Sequence, residues 1–260
     1  MTETPKGWYE WYSKIVEDFG YSVERDSEAA SLLASYMSSK PCLIPTLKKL
    51  ISTRRTVIIA GASDTIDEEA KQLAEMSNRD KYVLFSADSA TGALLDAGLV
   101  PDVVVTDLDG DIEELKEAWR RGAILVIHAH GDNIPKIHEA TKLFDERIEA
   151  TCQTEPRGHI HNFGGFTDGD RAAFIAAGLT ARKIITIGMC LTCSAGKRSQ
   201  KTKPKTQEWL KAKQEKLNYA QKLLTWLATT NPNIEIIDAT PNNEHPPIGL
   251  NKKTLKETIT

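Results

Sequence analysis

No run of the chain is apolar enough to span a membrane. Its longest hydrophobic stretches, such as residues 103–105 and 124–127, are a few residues long, where a spanning helix needs about 20. The first twenty residues carry Glu3, Glu10, Glu17 and Asp18 in place of a signal-peptide core, so a cytoplasmic protein with no membrane partner is expected. Cysteine is scarce: Cys42, Cys152, Cys190 and Cys193 are the whole complement of 260 residues, too few and too scattered for a disulfide framework. Reduced thiols are the expectation, and the CxxC spacing of Cys190 and Cys193 has no second copy with which to complete a zinc site. An excess of positive charge is missing too. With 33 Lys and Arg against 36 Asp and Glu the net charge is -3, which argues against a general nucleic-acid binder. There is no Walker-type glycine–lysine motif, so an ordinary P-loop is not indicated, and neither internal repeats nor low-complexity tracts occur.

What is present changes character along the chain. In the first fifty residues Trp8, Trp11, Ile15 and Phe19 recur at helical spacing, and Asp26 is placed to cap a second helix carrying Ala30, Leu33 and Met37. Pro41 and Pro45 bracket a break. Short β-branched runs follow at residues 57–60, 82–85, 103–106, 124–127, 148–152, 184–187 and 234–237, most of them separated by one helical pattern. That alternation predicts an α/β fold, an open and mostly parallel sheet with helices on both faces, because parallel strands need crossover connections. The division expected is an N-terminal helical extension over residues 1–52 and an α/β catalytic domain over 53–260. A helix over residues 204–230, with Leu210, Leu217, Ala220, Leu224 and Leu227 in a stripe, reads as a packing element.

In such sheets ligands bind beyond the carboxyl ends of the strands, and those ends are polar here. Asp88 follows one strand. Asp107 and Asp109 follow another, two apart, so that extended backbone turns both carboxylates to one side, an arrangement suited to Mg2+; the plain alternative is a turn or helix cap. In His-Ala-His-Gly-Asp-Asn, His128 and His130 lack a third ligand of matching type for zinc, whereas Asp132 is placed to complete an acidic cluster with Asp107 and Asp109, and Asn133 offers both donor and acceptor. Gly164 and Gly165 permit close backbone approach just before a helix start at Asp168, with Arg171 in its first turn, a pattern that serves phosphate or simply makes a turn. Lys197, Arg198, Lys201, Lys203 and Lys205 form a basic loop, either solvated or closing over a triphosphate.

Three strings in this order, SADSATGALLDAGLVPDVVVTDLDGD (86–111), HAHGDN (128–133) and NFGGFTDGDRA (162–172), resemble the archaeal 6-hydroxymethyl-7,8-dihydropterin pyrophosphokinase family, itself similar to the thiamin pyrophosphokinase catalytic domain. The resemblance runs over roughly residues 57–189. It implies an ATP- and Mg2+-dependent transferase that moves a diphosphate to the hydroxymethyl group of a dihydropterin and releases AMP, on a path to a folate-like, methanopterin-type cofactor. Its small-molecule partners are then ATP and the hydroxymethyl pterin, and a homo-oligomer is compatible with it. Carried onto this chain, Asp107, Asp109 and Asp132 serve the metal and, with His130, catalysis. Asp88, Gly164, Gly165, Asp168, Asp170, Arg171, Lys197 and Arg198 serve the nucleotide, and Asn133, Asn162, Phe163 and Phe166 the pterin. Cys190 stands where the family pattern has an aspartate after the last Gly-Met. Competing readings are a thiamin-type diphosphokinase, a sugar-nucleotide glycosyltransferase with a DxD metal site, and a nucleotide-binding module without catalysis; release of AMP separates the diphosphokinases from the other two.

Overall fold

In the computed structural model of the chain, which describes residues 4–76, 78–200, 206–241 and 243–259, the β-branched runs are strands buried over nearly their whole length. In chain order the elements are α1 (Trp8–Phe19), α2 (Val23–Met37), α3 (Ile44–Arg54), β1 (Thr56–Ala60), α4 (Ile66–Glu75), β2 (Val83–Ala87), α5 (Thr91–Asp96), β3 (Val103–Thr106), α6 (Ile112–Arg120), β4 (Ile124–Ala129), α7 (Ile134–Leu143), β5 (Ile148–Cys152), α8 (Asp168–Gly178), β6 (Lys183–Ile187), α9 (Gln207–Thr230), β7 (Glu235–Asp238), β8 (Asn251–Lys252) and α10 (Leu255–Thr258). The strands form one sheet in the order β5-β4-β3-β2-β1-β6-β7-β8, and every pairing is parallel. Strand order therefore reverses between β1 and β6, which makes their carboxyl ends the topological switch point where such sheets open a crevice. No described helix is long and apolar enough to cross a membrane.

The period of two along each strand divides the core. Val57, Ile59, Val83, Phe85, Val103 and Val105 face the layer made by α1, α3, α8 and α9. Their neighbours Ile58, Leu84 and Ile185 face α4, α5 and α10, and Val104, Leu125 and Ile127 face α2, α6 and α7. Burial on both faces is why these strands are unbroken apolar runs and lack polar alternation. The N-terminal helices share this core: Trp8, Tyr12 and Ile15 of α1 and Leu47 and Ile51 of α3 pack in the same cluster as β1, and Trp8 Nε1 donates to the Gln153 carbonyl at 2.9 Å. Helix α9 buries Tyr219, Ala220, Leu223, Leu224 and Leu227, the packing role its stripe predicts.

At the switch point the two strands continue into a backbone cradle. Gly61 N–H donates to Ile187 O at 2.8 Å and Ser63 N–H to Gly188 O at 2.9 Å. Gly188 has φ 59, and a Cβ there would run into the Gly61 carbonyl and Ile66, so only glycine fits the turn. Its N–H donates to the buried carboxyl of Glu69, at 3.0 Å to the nearer oxygen, while Thr65 Oγ1 donates to the same group at 2.7 Å. Burial pushes the Glu69 carboxyl up to about 7. A folded-state value above the ordinary 4.5 means that the bound proton stabilises the fold below pH 4.5, and that this contribution is lost as pH rises through about 7. Glu69→Gln should therefore gain stability relative to the unmutated chain across the window from 4.5 to about 7, by up to roughly 3 kcal/mol. Denaturant midpoints measured through this range check it, and parallel curves for the two proteins would refute it.

Candidate active site

Three carboxylates converge beyond the strand ends. Asp88 leaves β2, Asp107 leaves β3, and Asp168 opens α8, which crosses over β1, β2 and β3; their oxygens lie within 4.8 Å of one another. Asp88 sits at φ 31 and Leu108 at φ 66, two non-glycine residues in left-handed backbone, a conformation retained where the surroundings impose it. Asp88 Oδ2 accepts from Gly110 N–H at 2.9 Å, and its other oxygen is buried without a hydrogen-bond partner among the described residues. Burial, and then the charge of Asp107, push Asp88 up to about 8. The same two causes raise Asp168 well above the carboxylate range, against the pull of Arg171, whose guanidinium is 2.8 Å away. Burial works against the charged form of Asp107 as well, but the hydrogen bond and charge of His130 outweigh it and hold Asp107 well below the ordinary value; His130 Nε2 is 3.6 Å from Asp107 Oδ2.

This set differs from the expected Asp107, Asp109 and Asp132. The same-side argument for Asp107 and Asp109 requires extended backbone, and left-handed Leu108 breaks the alternation. Asp109 turns to an ion pair with Lys136 of α7, and its N–H donates to Asp107 Oδ1 at 3.1 Å in a tight turn. Asp132 is exposed, and its N–H donates to His130 Nδ1 at 3.3 Å.

Three adjoining cavities run across the strand ends. The first, of about 100 Å³, lies at the switch point between the Gly61–Ser63 and Gly188–Cys190 turns and reaches Asp88 and Asp168. The second, about 170 Å³, is lined by all three carboxylates and by Asp109, under Trp209, Lys213 and Lys216 of α9. The third, about 310 Å³, extends from Asp107 and His130 to Tyr21, Arg25, Asp26 and Gln153. Phe166 and Lys216 line both the second and the third. Phe166 belongs to an aromatic group with Phe19 at 5.1 Å, Tyr219 at 6.0 Å and Tyr21 at 6.2 Å between ring centroids. Lys216 Nζ stands 5.8 Å over the Phe166 ring; burial acts to lower its pKa, yet Tyr21 and the charges of Asp107 and Asp109 prevail and raise it.

Several sequence-predicted residues are occupied in holding this arrangement. Asn133 is fully buried: its Nδ2 donates to the carbonyls of Asp107 at 2.9 Å and His128 at 2.7 Å, and its Oδ1 accepts from His130 N–H at 3.1 Å. It ties the end of β3 to the end of β4 and has no surface for a ligand. Asn162, also fully buried, donates to Thr154 O and accepts from Gly164 N–H, both at 2.9 Å. Asp170 accepts from the N–H groups of Phe166 and Thr167, both at 2.7 Å, so it caps the entry to α8. Phe163 is in the hydrophobic core, away from the three cavities. Gly165 at φ 89 lets the loop lie against the Arg171 backbone, and Gly164 at φ 80 precedes it. Arg171 donates to the Phe166 carbonyl at 2.8 Å and lines the third cavity.

The basic loop packs beside the Asp88–Ala90 turn, and its Ser199 lines the first two cavities, but its arginine is held elsewhere. Arg198 pairs with Asp67 and, at 2.6 Å, with Asp96, and Lys197 N–H donates to Asp64 at 2.8 Å; Lys201, Lys203 and Lys205 lie outside the described residues. Cations reach the site instead from Lys213 and Lys216 of α9, visible in the sequence only as lysines spaced by three beside the Leu217 stripe. Tyr21, Arg25, Asp26 and Gln153 carry no local signal. The thiols also differ from expectation: Cys190 and Cys193, with Cα atoms 5.3 Å apart on the turn after β6, form a disulfide.

A parallel sheet with acidic groups gathered beside its switch point, cations above them and cavities on either side is the arrangement of a nucleotide-type transferase of the phosphoryl or diphosphoryl class. Residues 32–195 match the model of the MptE-like 6-hydroxymethylpterin diphosphokinases. Two proteins named 6-hydroxymethyl-7,8-dihydropterin pyrophosphokinase are similar along most of their length. That of Pyrococcus furiosus is 40% identical over 224 residues, covering 85% of this chain and 94% of its own. That of Methanothermobacter thermautotrophicus is 38% identical over 224 residues, covering 85% and 93%. The chain belongs to this family. Among solved structures, a MAf glycosyltransferase from Magnetospirillum magneticum AMB-1 superposes with a TM-score of 0.54 at 14% identity, over 90% of this chain and 39% of the other, a likeness of fold.

The geometry separates two adjacent residues by role. Asn133→Ala leaves buried carbonyls and an N–H without partners and should cost about 2–4 kcal/mol, whereas exposed Asp132→Ala should stay within about 0.5 kcal/mol. Equal denaturant midpoints for the two variants would contradict the clamp.

Proposed function

We propose that the protein transfers the terminal diphosphate of ATP to the hydroxymethyl oxygen of 6-hydroxymethyl-7,8-dihydropterin and releases AMP, as a cytoplasmic enzyme of a folate-like cofactor route. One observation supports this above the others: the carboxylate cluster lies in the middle cavity, between a glycine-rich cradle at the switch point and a larger chamber with an aromatic wall and polar floor. A nucleotide held by the first, with its phosphates over the carboxylates, faces an acceptor held in the third.

The donor set fits Mg2+. Asp88, Asp107 and Asp168 offer hard oxygen ligands at one point, and the buried unpartnered oxygen of Asp88 marks a group that lacks its counter-charge. Bound there, Mg2+ would draw charge from the transferring phosphates. Lys213, Lys216 and Arg171 add positive charge around the same space, and the Gly61–Ser63 turn lines the first cavity. Asp107 borders both the second and the third cavity. Held ionised by His130, it is a weak base, so its part is to orient the acceptor hydroxyl toward the β-phosphorus. Transfer through a loose transition state asks mainly for positioning and charge stabilisation. His130 Nδ1 accepts from Asp132 N–H, which leaves the ring proton on Nε2, directed at Asp107. The pterin ring stacks on Phe166, and Asp26, Gln153 and Arg25 present donors and acceptors to its amide-like edge.

Incubation with Mg-ATP and 6-hydroxymethyl-7,8-dihydropterin should yield AMP and the pterin diphosphate in equal amounts, followed by nucleotide chromatography; ADP would mean γ-phosphorus attack and overturn the reading. Asp88→Asn, Asp107→Asn and Asp168→Asn should each lower kcat/KM by roughly 10²–10³-fold. Asp109→Asn and Asp132→Asn should lower it by less than about 10-fold, since each lies outside the cluster. An equal loss in all five variants would return the metal to the other carboxylates.

A further inference from the structure

A second cluster of ligating side chains lies outside this site, against the edge strand β5. Cys42 is in the connection between α2 and α3, Glu149 is the second residue of β5, and His161 closes the loop that returns beside the same strand, paired with Thr151 in an isolated parallel bridge. Cys42 Sγ is 3.8 Å from Glu149 Oε2 and 3.8 Å from His161 Nε2, and His161 Nε2 is 3.8 Å from Glu149 Oε1. Ligands of one tetrahedral zinc, with bonds of about 2.3 Å to sulfur and about 2.0–2.1 Å to nitrogen and oxygen, stand about 3.4–3.6 Å apart. The two contacts of Glu149 run to different oxygens of its carboxylate; with one ligand atom from each residue, the three lie within 4.8 Å of one another.

The chemistry of the three groups points the same way. Glu149 is 1% exposed, and its carboxylate is fixed by the N–H groups of Leu43 at 2.8 Å and Ala150 at 2.9 Å. A buried carboxylate so held calls for a nearby positive charge. His161 brings Nε2 beside both Cys42 and Glu149. A sulfur, an imidazole and a carboxylate together prefer a borderline-soft ion over the hard Mg2+ suited to the aspartate cluster.

We propose that Cys42, Glu149 and His161 bind one Zn2+, with the fourth position open to water on the exposed side of Cys42, as a structural clasp separate from the diphosphoryl-transfer site. Binding releases the thiol proton to solvent and ties the α2–α3 connection to β5 and to the 153–165 loop. That loop leads to Phe166 and Asp168, and α2 carries Arg25 and Asp26, so the clasp fastens two walls of the acceptor chamber from outside.

The full-length protein, stripped with a chelator and titrated with Co2+ under a non-thiol reductant, should take up one equivalent with a near-ultraviolet thiolate-to-cobalt charge-transfer band. Zn2+ should displace it and raise Tm. Cys42→Ser should lose the band, and Cys42→Ser and Glu149→Gln should each weaken Zn2+ binding by at least about 100-fold, since loss of a mere supporting contact already costs about 10–100-fold. The double variant Cys190→Ser and Cys193→Ser, and Asp107→Asn, should keep both band and stoichiometry. Absence of the band in the unmutated protein, or its survival in Cys42→Ser, overturns the proposal. Transfer activity is not the readout, so this test and that of the diphosphokinase reading fail independently.

Discussion

Three carboxylates within 4.8 Å of one another repel in a partly desolvated space, and much of the surrounding structure is what is needed to keep them there. Two of them follow adjacent parallel strands, where backbone pairing leaves little freedom, and the third opens a helix that packs across the same strands. The strain concentrates at Asp88 and Leu108, both in left-handed backbone. Asn133 and Asp170 counter it by saturating the backbone groups on either side. Their polar atoms are spent within the protein, and their contribution to the site is to leave the repelling groups nowhere else to go.

The same cluster separates two unlike environments. On one side the backbone turns of β1 and β6 approach so closely that Gly188 admits no side chain. On the other, α1, α2 and α9 bring Phe19, Tyr21 and Tyr219 around Phe166. The third cavity is assembled from segments far apart in sequence: Asp26 accepts from Tyr12 at 2.7 Å, from Gln153 at 2.6 Å and from Gly131 N–H at 2.7 Å. The N-terminal helices thereby belong to the chamber's wall as well as to the core of the sheet, and charge from α9 reaches the carboxylates over the top. The two ends of the row of cavities are thus built by different physical means, close backbone on one side and aromatic packing with a buried polar network on the other.

Periodicity made the sheet legible from sequence. Residues 57–60, 103–106 and 184–187 are apolar on both faces because helices cover both, and a parallel crossover fold is nearly the sole way to use such runs. The polar residues after each run gather at one end of the sheet, since strand direction places them there whatever the details. Asp88, Asp107 and Asp168 stood at those ends as candidates because each follows or precedes an element whose type the local pattern determines.

What the residues alone left open was which carboxylates meet. Asp109 and Asp107 are two apart and border one cavity, yet only Asp107 joins the cluster, because the left-handed residue between them breaks the alternation of extended backbone. Asp88 and Asp168 are eighty positions apart and converge, because strand order and the crossing of α8 bring them together. The same holds for Lys213, Lys216, Asp26 and Gln153, whose local sequence reads as helix surface or loop. Local pattern determines secondary structure and the side of a strand, since both are set by neighbours in the chain. The partner of a charged group is decided by tertiary packing, since Coulomb interaction and hydrogen bonding depend on distance in space alone.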